Sequence, residues 1–160
     1  MNIELIQIEN PMSYNLILGQ SHFIKTVEDL YEIVATNVPG AKFGVAFNEA
    51  SGPCLTRFSG TDPELIDLAV DNIQRIGAGH LFLIFMKDFF PIHVLNAIKF
   101  CPEVVSIFCA TANPLKVVAL RDEDGAGVLG VIDGFSPKGI EDTEAIQLRK
   151  DFLRKIGYKQ

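Results

Sequence analysis

The sequence predicts an α+β domain, an α/β sandwich in which a mixed, largely antiparallel sheet is covered by helices. Three observations carry this expectation. Apolar runs of strand length are interspersed with amphipathic helical stretches, and most successive runs are joined by turns too short to hold a crossover helix. One run, Leu81–Met86, is apolar without a break, as a strand buried on both faces must be. The element order reads ββαββαβαβββα, which is not the strict alternation of a doubly wound sheet. Residues 1–160 carry no linker, repeat or low-complexity stretch, so a single domain is expected.

Each element has a local reason. Ile3–Glu9 alternates loosely, and Asn10-Pro11 breaks the run before Tyr14–Leu18, which predicts a strand pair. Thr26-Val27-Glu28-Asp29 resembles a capping box, with Thr26 as N-cap and Val27, Leu30, Tyr31 and Val34 at helical spacing until Pro39-Gly40. Lys42–Asn48 and Cys54–Ser59 flank a turn-rich stretch and predict a hairpin. Thr61-Asp62-Pro63-Glu64 opens a helix whose buried stripe is Leu65, Ala69, Ile73 and Ile76, with Gly77 as a left-handed cap. After the central strand Leu81–Met86, Phe90-Pro91 starts a short helix that Cys101-Pro102 stops. Val104–Cys109, Lys116–Arg121 and Val128–Ile132 are strands, and Asp142 caps a last helix to about Ile156, with Arg149, Lys150, Arg154 and Lys155 toward its C-terminus.

Composition bounds the function. Hydrophobic residues make up 48% and charged residues 21%, which excludes disorder and leaves apolar surface that a subunit interface would hide. A formal charge of −6 gives no electrostatic footprint for nucleic acid or an anionic membrane. The N-terminus has no basic region and no apolar run approaches membrane length, so the cytoplasm is the expected compartment. Cys54, Cys101 and Cys109 lack paired spacing and are expected to be buried, reduced thiols.

Gly125-Ala126-Gly127-Val128-Leu129-Gly130 spells GxGxxG, but a dinucleotide fingerprint needs a helix directly after the glycines. Here an apolar strand follows, and the NAD reading is rejected. Gly19–Thr26 ends in Lys25-Thr26 at a helix start. Free N–H groups of that first turn beside Lys25 would bind an anion, although an ordinary cap and a surface lysine read the same way. Gly77-Ala78-Gly79-His80 permits close backbone approach and sets a histidine at a strand mouth, where it faces a ligand or packs as a core residue. Glu49, Ser51, Gly52 and Arg57 surround one tight turn, either a phosphate nest or solvated hairpin polarity. Thr111 and Asn113 follow a buried strand and would suit a ribose or base edge, or simply form a turn. His93 shares a helix face with Asn96 and Phe100 but lacks the second ligand of a metal pair, and no metal centre is predicted.

The strings GQSHFIKTVEDL (19–30), KFGVAFNEASGPCLTR (42–57), IGAGHLFLIF (76–85) and FPIHVLNAIK (90–99) together resemble the adenosine-specific kinase family. So do PEVVSIFCATANP (102–114), GVLGVIDG (127–134) and RKIGYK (154–159). The resemblance runs in unbroken order from about Asn15 to the C-terminus.

It implies a homo-oligomer, a trimer or hexamer, that binds adenosine or AMP, and a histidine carrying a stable phosphoryl group. His22 and His80 match the family; His93 stands where an asparagine is implied, and Ala126 where an arginine is, which removes a phosphate contact. His22 ranks ahead as the phosphoryl carrier because Lys25 and a helix N-terminus lie close in the chain, with His80 as the alternate. On the same resemblance, Lys25 and Arg57 would neutralise phosphate, Thr111 and Asn113 would bind the ribose or base, and Thr26, Ser51, Gly52 and Gly79 would be among the nucleotide-binding residues. Glu49 or Asp133 would act as a base or hold Mg²⁺. The reading this implies is a phosphotransferase acting on adenosine; a non-catalytic AMP or adenosine sensor with a regulatory phosphohistidine is the other.

Overall fold

A computed structural model describes residues 2–160 of the chain. The elements follow the expected order: β1 (Asn2–Gln7), β2 (Asn15–Ser21), α1 (Thr26–Asn37), β3 (Lys42–Asn48), β4 (Thr56–Gly60), α2 (Pro63–Ile76), β5 (Leu81–Lys87), α3 (Leu95–Lys99), β6 (Val104–Thr111), β7 (Leu115–Arg121), β8 (Ala126–Asp133) and α4 (Thr143–Lys155). A 3₁₀ turn over Pro91–His93 precedes α3.

The strands form two sheets, one of five strands in the order β4-β3-β5-β2-β6 and one of three, β1-β7-β8, with every pairing antiparallel. The expected pair of β1 with β2 does not form. β1 lies against β7, and β2 is gripped between β5 and β6. The link between them is pinned instead to α2, where Asn72 Oδ1 accepts from Glu9 N at 2.8 Å and its Nδ2 donates to Glu9 O at 2.9 Å. Satisfying both backbone groups of Glu9 on a helix turns the chain away from a hairpin.

Alternation along the strands builds the layers. Leu16, Leu18, Leu83 and Phe85 point toward α2 and the three-stranded sheet, meeting Leu65, Ala69, Ile73, Ile76, Leu115 and Val117. Ile17, Phe43, Val45, Phe47, Phe82, Ile84 and Met86 point the other way, toward Leu30 and Val34 of α1 and Ile98 of α3. β5 is thus buried on both faces, as its unbroken apolar run requires. A Cβ on Gly44 would stand 2.3 Å from Leu65 C and Ile66 N, so only glycine lets α2 lie directly on β3.

Capping is as expected for two helices and differs for a third. Asp62 caps α2 through a bond from Leu65 N, Pro63 is its first residue and Gly77 ends it at φ 68°; Asp142 caps α4 through Ala145 N. For α1 the N-cap is Lys25, and the Thr26 hydroxyl turns back to Phe23 O and Ser21 Oγ, inside the protein. α4 has no buried residue.

Candidate functional site

The antiparallel sheet gathers chemistry at one end. There the C-termini of β3 and β2 meet the N-termini of β4, β5 and β6, bringing Glu49, Arg57, His80, His22 and Glu103 to neighbouring strand ends. His80 is held from both sides: its N–H donates to Asn48 O at 2.7 Å and its carbonyl accepts from Ser21 N at 2.8 Å. This double grip fixes a non-glycine residue at φ 60°, a conformation that persists only when its surroundings impose it. The imidazole is half-buried and stacks on Phe47, with ring centroids 6.0 Å apart and planes 11° from parallel. Since Phe47 belongs to the α1-side core, the His80 ring lies on that side of the sheet.

Register puts Arg57 directly opposite Phe47 on β4, hence on the same face. Its Nη2 donates to Glu49 Oε1 at 2.8 Å, and Glu49 Oε2 accepts from Leu55 N at 2.8 Å. These two bonds, the backbone one first, hold the Glu49 carboxyl below its ordinary value. Each Glu49 oxygen thus already accepts one hydrogen bond, and any base or Mg²⁺ role would share it with Arg57 and Leu55. Arg57 Nε is buried and donates to nothing.

Beneath the strand ends, Asn48 is the pivot that the sequence did not reveal. Its Nδ2 donates to Ile73 O and Ala78 O at 3.1 and 3.0 Å, and its Oδ1 accepts from the Thr56 hydroxyl at 2.8 Å. One buried amide thus satisfies carbonyls at the end of α2 and the loop beyond it while carrying β3 and β4. The only cue was an asparagine ending an apolar strand.

On the neighbouring strand, His22 is exposed and its N–H donates to Glu103 O at 3.0 Å. Lys25 Nζ lies 2.9 Å from Asp29 and 3.6 Å from Glu103, and the bond to Asp29 leads in raising its pKa. The anion site expected at the start of α1 therefore has its cation already engaged by two carboxylates. Glu103, 1% exposed, was not singled out from the sequence because a lone carboxylate after Pro102 looks like a strand-edge charge.

A cavity of about 660 Å³ opens beside this strand end. Asn48, Glu49, Gly79, Gln74, Cys54 and the turn at Asp124–Ala126 bound it, so the GxGxxG glycines sit on a hairpin with no helix after them, in line with the rejected NAD reading. Its volume is in the range of small-molecule sites. A Cβ on Gly79 would come within 2.7 Å of Ala50 Cβ, so glycine sets how close the β3–β4 hairpin lies. Ala126 is in the wall and brings no charge. Ser51 and Gly52 are exposed on the hairpin tip and do not line the cavity.

Thr111, Asn113 and Asp133 do come together, but elsewhere. The Thr111 hydroxyl donates to Asp133 Oδ1 at 2.7 Å and accepts from Asn113 N at 3.0 Å, while Asn113 Nδ2 donates to the same carboxylate oxygen at 3.4 Å. Thr111 pairs with Leu16 at one end of β2, whereas Val104 pairs with Ser21 at the other. With strands rising about 3.3 Å per residue, roughly 20 Å separates them from the histidines. One subunit therefore does not bring Thr111, Asn113 and Asp133 to the same ligand as the histidines, although the resemblance implies that all contact one nucleotide. His93 is spent locally, its Nδ1 accepting from Phe90 N at 3.2 Å. Cys101 is buried and Cys109 half-buried, but Cys54 is exposed, because it sits at φ 50° in the hairpin rather than on the following strand. No described helix is long and apolar enough to cross a membrane.

The fold is shared with a solved structure. The crystal structure of the PH1918 protein from Pyrococcus horikoshii OT3 is 48% identical and superposes with a TM-score of 0.94, covering 99% of this chain and 98% of that one. No curated protein matches in sequence. A family model described as adenosine specific kinase matches residues 6–159, nearly the whole chain, through both histidines, the β3–β4 hairpin and the Gly77–Gly79 turn. The chain belongs to the adenosine-specific kinase family.

Proposed function

We propose that this protein binds adenosine or AMP at the His80 end of the five-stranded sheet and transfers a phosphoryl group through that imidazole. The observation that carries the reading is the half-buried His80 ring stacked on Phe47, on the sheet face where register also sets Arg57, whose Nε is buried without a partner. A phosphorylated imidazole lasts where water is limited and cationic donors are near. His80 meets the first condition better than exposed His22, so the order of the two candidates reverses: His80 carries phosphate, and His22, across β2, contacts the substrate. Arg57 neutralises phosphate, and the nucleoside docks at the strand end beside His80; the 660 Å³ cavity lies toward α2, with neither His80 nor Arg57 in its wall. Phosphoryl transfer demands positioning and charge stabilisation more than covalent machinery, which a strand-end site supplies without a P-loop.

The test is incubation with adenosine and a γ-labelled nucleoside triphosphate. His80→Ala loses both protein label and AMP formation, while His22→Ala keeps the label and transfers it slowly. Transfer unchanged in both variants would eliminate the histidine mechanism. A binding module without turnover is the second reading. It is favoured by the engagement of Lys25 and Arg57 with carboxylates, which leaves little uncommitted positive charge for a transition state. Calorimetric AMP affinity with no turnover from any donor would select it.

The subunit also has an unfinished surface. Leu148, Phe152 and Ile156 are exposed at i, i+4 and i+8 along α4, and Phe135 and Ile140 in the segment leading to it are 83% and 98% exposed. A helix with no buried residue needs a partner for such a face. A second copy of the chain is that partner, in a trimer or hexamer. Neighbouring subunits would also be the means by which Thr111, Asn113 and Asp133 reach a nucleotide bound at the opposite strand end. Light scattering at micromolar concentration reads the mass, and a monomer would refute the assembly.

A further inference from the structure

Beside α1, on the outer flank of the five-stranded sheet, lies a cluster to which the proposal above gives no role. Asp29 of α1, and Cys101 and Glu103 in the link from α3 to β6, place two carboxylate oxygens and a sulfur within 4.8 Å of one another. Glu103 is 1% exposed, and neither of its side-chain oxygens has a hydrogen-bond partner. The charge facing it is Lys25 Nζ at 3.6 Å from Oε2, on a side chain that is 46% exposed and closer to Asp29. Burying a carboxylate without donors is costly unless something else compensates it. A cation does so without hydrogen bonds. Asp29 and Cys101 also line a cavity of about 410 Å³ with Glu32, Thr36 and Pro102, which leaves one side of the cluster open for a water or exogenous ligand.

We propose that Asp29, Cys101 and Glu103 form a binding site for a borderline divalent transition metal of the zinc class. The donor set makes the choice. Carboxylates alone would suit Mg²⁺ or Ca²⁺, but a thiolate beside them favours Zn²⁺ or Co²⁺, which accept three protein ligands and an open fourth position. The metal displaces the Cys101 thiol proton, which leaves to solvent as the S–metal bond forms. The metal-bound cluster then holds two carboxylates and one thiolate against one divalent ion, a net charge of −1 in place of the uncompensated carboxylates. Lys25 is the competitor for the same oxygens in the metal-free protein, and its exposed stem lets it move aside. This site rests on geometry separate from the nucleotide reading, and neither proposal falls with the other.

The test uses Co²⁺ added to the metal-free full-length protein in a Cys54→Ser background, which removes the exposed thiol. The expected result is a near-ultraviolet thiolate-to-cobalt charge-transfer band that saturates at one ion per chain and is reversed by Zn²⁺. Cys101→Ser abolishes the band, and Glu103→Gln weakens Co²⁺ binding about tenfold or more. Lys25→Met tightens binding, because it removes the competing ammonium; a merely structural lysine would not act in that direction. Circular dichroism establishes that each variant is folded, and the titration of the Cys54→Ser protein stands without them. No band up to millimolar Co²⁺, a band that survives Cys101→Ser, or affinity indifferent to Glu103→Gln would each overturn the assignment.

Discussion

Gly79→Ala probes the contact that sets the edge of the cavity. Gly79 is not in the left-handed region, so alanine can adopt its backbone, and the cost comes from space alone. The new Cβ would stand 2.7 Å from Ala50 Cβ and 3.2 Å from Ala50 Cα. Carbon pairs rest at about 3.5–4.0 Å, so the β3–β4 hairpin must back away by about 1 Å. Overpacking of this kind costs about 1–3 kcal/mol. Reduced freedom of the unfolded chain returns about 0.4–1 kcal/mol. The net loss is about 1–2 kcal/mol, or about 2–8 °C in Tm for a chain of this size. The same displacement moves Glu49, and through it Arg57, so AMP binding and transfer fall further than stability does, by as much as about 100-fold. Urea denaturation and AMP calorimetry read the two effects. Ala50→Gly removes the opposing Cβ, so the double variant recovers most of both losses, with a coupling of about 1 kcal/mol. Gly79→Ala as stable and as tight-binding as the parent, or no rescue by Ala50→Gly, would refute the reasoning.

Three further outcomes follow from the site. Asn48→Ala leaves Ile73 O, Ala78 O and the Thr56 hydroxyl without their buried partner, and should cost about 2–4 kcal/mol in urea denaturation; a loss under about 1 kcal/mol would show that water replaces the amide. Glu49 has a lowered carboxyl pKa, so its contribution to stability is present above the ordinary carboxylate range and is lost as pH falls through the folded value. Glu49→Gln should therefore flatten the acid limb of the stability–pH profile, and a profile unchanged in shape would contradict that. Burial pushes the Cys101 thiol up to about 11 and the Cys109 thiol up to about 12. At pH 8 each is then roughly a thousandth thiolate or less, so a disulfide exchange reagent should find one fast thiol per chain, absent in Cys54→Ser; a second fast thiol would contradict the burial.

The element order, the central strand and the caps of α2 and α4 were legible in the sequence because each is a local matter. Pro63 and Gly77 bracket a helix by their own backbone limits, and Leu81–Met86 has no polar face to show to water whatever surrounds it. The split into two sheets was not legible, since it turns on Asn72 binding a backbone more than sixty residues away. The site divides in the same way. His22, His80, Glu49 and Arg57 could be named from their turns and from the family resemblance. That they share one end of a sheet, while Thr111, Asn113 and Asp133 take the other, depends on strand pairing across long stretches of chain. Charge was settled by the fold as well: Lys25 and Arg57 are cations in the sequence, but folding sets each beside a carboxylate, and folding alone buries Glu103 without a hydrogen-bond partner. Local chemistry is written in neighbouring residues, whereas pairing, burial and compensation of charge depend on which distant residues the core brings together.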